Sequence, residues 1–290
     1  MKIAITGNTG FIGKNLETFF KKKKYEVITL GRNKSNDIKF DLFKKNLRLL
    51  KFKKKIDILI HCASISVNEF YRKKKLNKSI ILKIIESELQ SLEDLIKFCK
   101  KNNIKKFIFI SSSSVYGKNP NNKSFKTSEI ANPSDLYGAL KLAMEIIGSK
   151  LFKNFISLRL FQVYGLNDLK FRLIPTLINS NKVNLKNCCQ VTDLIFYKDL
   201  NSLILKLILS KKINSGTYNA GNGQPVHLKK IVDKIIQLKK EKTHVKYEKK
   251  LPKISNYSFA DKNEIYKDIK WKPKYDITSG LRELINEYES

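Results

Sequence analysis

Tyr137 and Lys141 form a Y-x-x-x-K pair, preceded by a serine run, Ser111–Ser114, that leads into Val115-Tyr116-Gly117. On a helix, residues four apart share a face with Cβ atoms about 5–6 Å apart, which would set a phenol beside an ammonium. A free tyrosine titrates near about 10, too high for a good base at neutral pH. A neighbouring cation favours the phenolate and lowers that value. A serine hydroxyl beside the reacting oxygen would complete a proton-relay pair. The spacing is common by chance in a chain with 12 tyrosines and many lysines. Its weight therefore comes from its surroundings.

At the start of the chain, Gly7-Asn8-Thr9-Gly10-Phe11-Ile12-Gly13 follows a predicted strand at 2–6 and opens a predicted helix at 11–20. Glycine at the first position permits a tight turn, at the second lets backbone approach a pyrophosphate, and at the third allows close helix–strand packing. The amides at the helix start then face the anion. The spacing is G-x-x-G-x-x-G rather than G-x-G-x-x-G, and its place between strand and helix is what gives it meaning. After the second predicted strand, at 25–30, a carboxylate would bind the ribose 2′-hydroxyl of NAD. Gly31-Arg32-Asn33-Lys34 stands there instead. Arginine accommodates a 2′-phosphate, so Arg32 tilts the choice of cofactor toward NADP over NAD. Asp41 and Leu42 are assigned to the adenine edge.

The elements that must position these residues alternate. Further strands are predicted at 56–61, 107–111 and 155–161, with helices at 79–101 and 136–151. That order is the signature of an α/β fold, a doubly wound parallel sheet. Beyond Gly165 the periodicity breaks into short elements around Pro175, Gly221-Asn222-Gly223 and Pro252. The expected organisation is a cofactor-binding domain over 1–165 and a smaller α/β substrate-binding region over 166–290, with parts near 192–220 returning to the first.

The chain has 290 residues, with 58 Lys+Arg against 26 Asp+Glu, a net charge of +32. Such a charge raises nucleic-acid binding, and a non-enzymatic protein that holds RNA or another acidic partner is the alternative reading. Only six basic residues are arginine, and the lysine clusters at 21–24, 51–55 and 73–75 lie between apolar segments without a recognised RNA motif. A solvated surface that also attracts anionic ligands is the preferred reading. Cys62, Cys99, Cys188 and Cys189 form no C-x-x-C pair, and His61, His227 and His244 are far apart, so no metal site is expected. No apolar run approaches the roughly 20 residues of a membrane span, and no signal peptide is apparent. The cytoplasm is the expected location.

The segments TGNTGFIG (6–13), DILIHCAS (57–64), FIFISSSSVYG (107–117), YGALK (137–141), LRLFQVYG (158–165), TDLIFYKDL (192–200), YNAGNG (218–223) and WKP (271–273) together resemble the extended short-chain dehydrogenases/reductases of the NAD-dependent epimerase/dehydratase family. That resemblance implies a Rossmann-like fold and a nucleotide-sugar substrate; separately, the helices at 136–151 and 79–101 carry apolar faces wider than one contact needs, so a homodimer is expected. The resemblance implies that Ser112 is the catalytic serine, with Ser111 and Ser113 as alternatives, Tyr137 the acid/base and Lys141 its partner. His61, Ala63 and Ser64 would line the nicotinamide half of the cofactor site, to which Tyr137 and Lys141 also belong. The chain also departs from the pattern. Ser113-Ser114 replaces the acidic pair of 4,6-dehydratases, Gln162 replaces an asparagine, and Thr192 replaces an arginine that contacts the substrate diphosphate, a contact assigned instead to Arg172 or a lysine. The RLIPTLI run (172–178) and the tail from SFADKNE to WKP resemble sugar 4-ketoreductases of the CDP-abequose synthase type. A C4 ketoreductase is therefore favoured slightly over a C4 epimerase.

Overall fold

A computed structural model describes residues 1–44, 46, 49, 55–65, 77–119, 122–185, 190–239, 243–247 and 257–289. The Cys188-Cys189 pair, the lysines at 73–75 and those at 51–54 lie outside the described residues. The strands are β1 (Lys2–Thr6), β2 (Glu26–Gly31), β3 (Ile38–Lys39), β4 (Ile58–His61), β5 (Lys106–Ser112), β6 (Phe155–Leu160), β7 (Gln162–Tyr164), β8 (Lys182–Leu185), β9 (Val191–Phe196), β10 (Gly216–Ala220), β11 (Pro225–His227), β12 (His244–Tyr247) and β13 (Tyr257–Ser258). The central sheet runs β10-β6-β5-β4-β1-β2-β3, and every pairing in it is parallel. This is a Rossmann-like doubly wound sheet. Its strand order reverses between β1 and β4, and in such sheets the ligand crevice opens at the carboxyl ends flanking that reversal.

The strands are nearly continuously apolar because both faces are covered. Period-two alternation sorts their side chains into two cores. Ile3, Ile5, Ile58, Ile60, Ile108, Ile110, Ile156 and Leu158 pack on one face with Leu16, Phe20, Leu203 and Leu207. Ala4, Leu59, Phe107, Phe109 and Phe155 pack on the other with Leu92, Leu95, Leu140 and Met144. The first face is covered by helices Phe11–Lys22 and Tyr197–Leu209, and the second by Lys78–Lys101 and Leu136–Leu151. Each fully buried branched or aromatic chain is worth roughly 1.5–3 kcal/mol. The Lys106 ammonium is buried under the end of the Tyr197 helix, where it donates to the carbonyls of Leu207 at 2.9 Å and Ile208 at 3.4 Å, a cation at the negative end of the helix dipole.

Beside this sheet, β11 runs antiparallel to β9, while β7 and β13 run parallel to it. Asp193 in β9 is fully buried. It accepts the backbone N–H groups of Asn222 at 2.7 Å, Gly223 at 2.9 Å and Ala260 at 3.0 Å, and so ties two distant loops to one strand. Among the described residues no helix is long and apolar enough to cross a membrane.

Candidate active site

The carboxyl ends of β1 and β4 are locked together by Thr6. Its hydroxyl accepts from the N–H groups of Cys62 at 3.1 Å and Ala63 at 3.0 Å and donates to His61 Nδ1 at 2.7 Å, which satisfies all three of its hydrogen-bonding sites. Immediately beyond, Gly7 has φ +70° and lies so close to the next strand that a Cβ there would sit 2.7 Å from the Ala63 nitrogen. A Cβ on Gly13 would sit 2.3 Å from the Gly7 oxygen. The turn thus demands glycine at both places, once for its backbone angle and twice for space.

A cleft of about 200 Å³ opens above this turn, lined by Gly7 to Gly10, Gly31 and Arg32, Asp41 to Phe43 and Cys62 to Ile65. Asn8, Thr9, Gly10, Arg32, Asp41, Leu42, Ala63 and Ser64 are brought together there, as their assignments require. Phe11 and Ile12 pack against the core behind it, and Gly13 is buried in the first helical turn, so these three offer backbone and not side chains. The acidic residue nearest to Arg32 in sequence, Asp37, is taken up elsewhere, accepting from the Thr29 N–H at 2.8 Å and the Thr29 hydroxyl at 2.7 Å. The glycine cradle and the helix start fit a dinucleotide pyrophosphate, and Arg32 lies exposed at the rim.

His61 requires a correction. It is fully buried, ringed by Phe40, Phe107 and Phe109, and does not reach the cleft. The period of a strand turns residue 61 to the core face and leaves the chain after it to line the opening. Burial, with a smaller push from the Lys141 charge, holds its imidazole down to about 3 from an ordinary 6.5. The unfolded chain then takes up a proton near its ordinary value, while the folded chain refuses one until about 3. The stability from His61 is therefore present above the ordinary value and lost as pH falls toward the folded one, on the order of 4 kcal/mol in all. Denaturant midpoints should fall between about pH 7 and about pH 5, and His61→Leu should flatten that slope. An unchanged slope would assign the acid sensitivity elsewhere.

The phenol is positioned from the other side. Asp135 caps the Leu136–Leu151 helix, its carboxylate accepting the Gly138 N–H at 2.7 Å. A Cβ on Gly138 would lie 2.4 Å from the Ser114 carbonyl oxygen, so the helix meets the serine turn at van der Waals contact. Tyr137 is thereby hydrogen-bonded to Ser112, whose Oγ also accepts from the Ser114 N–H at 3.1 Å. Ser111 turns the opposite way and donates to buried Glu145, which removes it as an alternative on geometric grounds. Lys141 is buried. It donates to the Ile110 carbonyl at 3.0 Å and lies 4.7 Å from the Phe109 ring centroid and 5.8 Å from that of Tyr137.

The charge state of the phenol follows from its surroundings. Burial pushes the Tyr137 hydroxyl up to about 12, against a smaller opposing effect of the Ser112 hydrogen bond. The Glu88 and Asp135 charges raise it and the Arg172 charge lowers it, all less than desolvation, which penalises the phenolate first. The resting phenol is a proton donor. Cys62, in the cleft wall, is likewise pushed up to about 12 by burial and is an inert thiol.

A neighbouring cleft is lined by Gln162, Asp168, Arg172, Gln190 and Thr192 among others. It brings together two of the three assigned substrate contacts, Gln162 and Arg172. Ser113 stays half-buried in the serine turn. Arg172 pairs with Asp168 at 3.3 Å, and its charge reaches Tyr137 and favours the phenolate. Burial raises the Asp168 carboxyl to about 6.

A sequence model of the NAD dependent epimerase/dehydratase family matches residues 3–221. The chain is 28% identical over 275 residues to dTDP-D-glucose 4,6-dehydratase of Dictyostelium discoideum, covering 82% of this chain but only 62% of that relative. It is 23% identical to CDP-abequose synthase of Salmonella muenchen, across 99% of this chain and 98% of the relative. Among solved structures, MoeE5 in complex with UDP-glucuronic acid and NAD superimposes with a TM-score of 0.85 at 20% identity, covering 100% of this chain and 99% of that one. RMD from Pseudomonas aeruginosa complexed with NADPH gives 0.84 at 18% identity, covering 99% and 98%. At these identities both structures establish the fold.

Proposed function

The chain belongs to the NAD dependent epimerase/dehydratase family, and from that membership we propose that it reduces a 4-keto group on a nucleotide-activated sugar, with NADPH as reductant. The observation that carries the reading is the Ser112–Tyr137–Lys141 group, whose Lys141 charge acts on Cys62 in the wall of the glycine-turn cleft. When bound, the nicotinamide supplies the hydride. Tyr137 holds a proton at rest and donates it to the C4 oxygen, Ser112 orients that oxygen, and the Lys141 ammonium steadies the phenolate left behind. Gln162 and Arg172 hold the sugar diphosphate from the second cleft. Residues 1–165 chiefly bind cofactor and 166–290 chiefly bind substrate.

Ser113-Ser114 in place of an acidic pair speaks against 4,6-dehydration, since no carboxylate stands there to take a proton from C5. Likeness to CDP-abequose synthase supports reduction over epimerisation at C4. Purified protein incubated with UDP-, CDP-, GDP- and dTDP-sugars and their 4-keto forms should consume NADPH stoichiometrically with one of the keto forms. Tightly copurifying NAD, with interconversion of two C4 epimers and no net consumption, would establish the epimerase instead.

Cofactor choice rests on Arg32, which lies exposed at the cleft rim. Arg32→Ala should weaken NADP about tenfold while leaving NAD within about twofold, as loss of one charge-assisted contact predicts. Equal weakening of both in a titration would make Arg32 a bystander. The helices Lys78–Lys101 and Leu136–Leu151 expose Leu82, Ile146 and Leu151, which supports a homodimer formed through them. The protein is proposed to act in the cytoplasm.

A further inference from the structure

Glu88 lies on the Lys78–Lys101 helix and is 1% exposed, a carboxyl in the middle of an apolar stripe that continues through Leu92, Leu95 and Cys99. Its Oε1 accepts the Ser64 hydroxyl at 2.9 Å and the Ile65 N–H at 2.6 Å. Those two residues form a wall of the cofactor cleft. Its Oε2 is buried and has no hydrogen-bond partner among the described residues. A buried carboxyl with an orphaned oxygen is costly, and such a group calls for a reason beyond packing.

Among the described residues few groups act on it. Ser64 and Ile65 come from the segment after β4, and Tyr137 and Lys141 come from the Leu136–Leu151 helix. Burial pushes the Glu88 carboxyl above its ordinary value, and the charge of Lys141, the cation acting on it among the described residues, opposes that rise together with the Ile65 and Ser64 hydrogen bonds. Burial pushes the Lys141 ammonium down from its ordinary value, and in return the Glu88 charge opposes that fall and disfavours the Tyr137 phenolate. The other carboxylate acting on Lys141, Glu145, is committed to Arg159 at 2.7 Å. Cys62 also acts on Lys141, but burial keeps its thiol protonated.

Resting on the proposed reading of Tyr137 and Lys141, we propose that Glu88 is a positioning residue that fixes the Ser64–Ile65 wall of the cofactor cleft and supplies the negative charge balancing Lys141 beneath the phenol. The charge has a direct consequence. It keeps the lysine charged in a dry site, and it holds the proton on Tyr137 until the substrate oxygen takes it. One carboxylate thus ties cofactor binding to the acid strength of the proton donor.

Two substitutions separate the two roles. Glu88→Gln keeps the acceptor for Ser64 and Ile65 but removes the charge, and Glu88→Ala removes both. Cofactor affinity is read by titration with NADPH. Tyr137 ionisation is read as the near-ultraviolet phenolate absorbance of each protein minus that of its Tyr137→Phe counterpart. Glu88→Gln should bind NADPH within about threefold of the parent and ionise Tyr137 at lower pH, while Glu88→Ala should bind NADPH about tenfold more weakly, the loss of two buried hydrogen bonds. An ionisation curve for Glu88→Gln that superimposes on the parent overturns the charge role. Unchanged NADPH affinity in Glu88→Ala overturns the wall role. Neither readout requires turnover, so failure of Tyr137 as the catalytic acid, seen as an active Tyr137→Phe enzyme, is told apart from failure of Glu88.

Discussion

Tyr137→Phe should lower kcat by about 10³-fold, the typical worth of a positioned proton donor, while changing NADPH affinity by less than about twofold. The expectation follows from where the hydroxyl sits. It is hydrogen-bonded to Ser112 at the serine turn, and it touches none of the glycine cradle that would carry the pyrophosphate. Burial keeps the proton on the phenol up to about 12, so at neutral pH the group enters the reaction as an acid. Its ring remains in Tyr137→Phe, and with it the packing against Leu136 and Leu140 in the same core, so the loss should be chemical and not structural. Steady-state rates and an NADPH titration on the same preparation check this. Activity within severalfold of the parent would remove Tyr137 from the mechanism.

The largest effect on stability is expected at Arg159. Its guanidinium, in β6, makes bonds to Glu145 at 3.1, 3.1 and 2.7 Å, with the two side chains only 7% and 5% exposed. It lies 4.8 Å from the Tyr116 ring centroid, and the Tyr116 hydroxyl bonds to Asn219 at 2.7 Å. This network fastens the Tyr137 helix to the sheet two turns beyond the phenol. Arg159→Met strands the Glu145 carboxylate in the core and should cost about 3–5 kcal/mol, the usual penalty of breaking a buried pair from one side. Replacing both, Arg159→Met with Glu145→Leu, removes the stranded charge and should recover most of that loss. Urea unfolding midpoints of the three proteins test it. A single variant within about 1 kcal/mol of the parent would show the pair to be dispensable.

Much of the fold was legible because local signals agreed with the global arrangement. The helix expected at 136–151 is observed at Leu136–Leu151, and the strand expected at 2–6 at Lys2–Thr6. The glycine turn was readable because Gly7 and Gly13 each answer a steric demand that geometry makes visible. Other features were hidden for physical reasons. A two-residue strand such as β3 has no periodicity to detect. His61 carries a residue type that suggests chemistry, and only the sheet register shows that it faces the core. For Tyr137 the sequence shows the neighbouring cation but not the burial that opposes the phenolate. Glu88 did leave a trace, a charge four residues from Ile84 and four from Leu92 on one apolar helical face. Asp193 left a similar one, a lone acid inside an apolar strand.

Hydride transfer at C4 can be followed directly with NADPH carrying deuterium at the transferable position. Supplied with the nucleotide 4-keto sugar that the protein turns over, the native chain should place one deuterium on C4 of the product, detected by NMR, and Tyr137→Phe should place almost none in the same time. Product that forms without deuterium at C4, or that carries it at another carbon, would contradict the account.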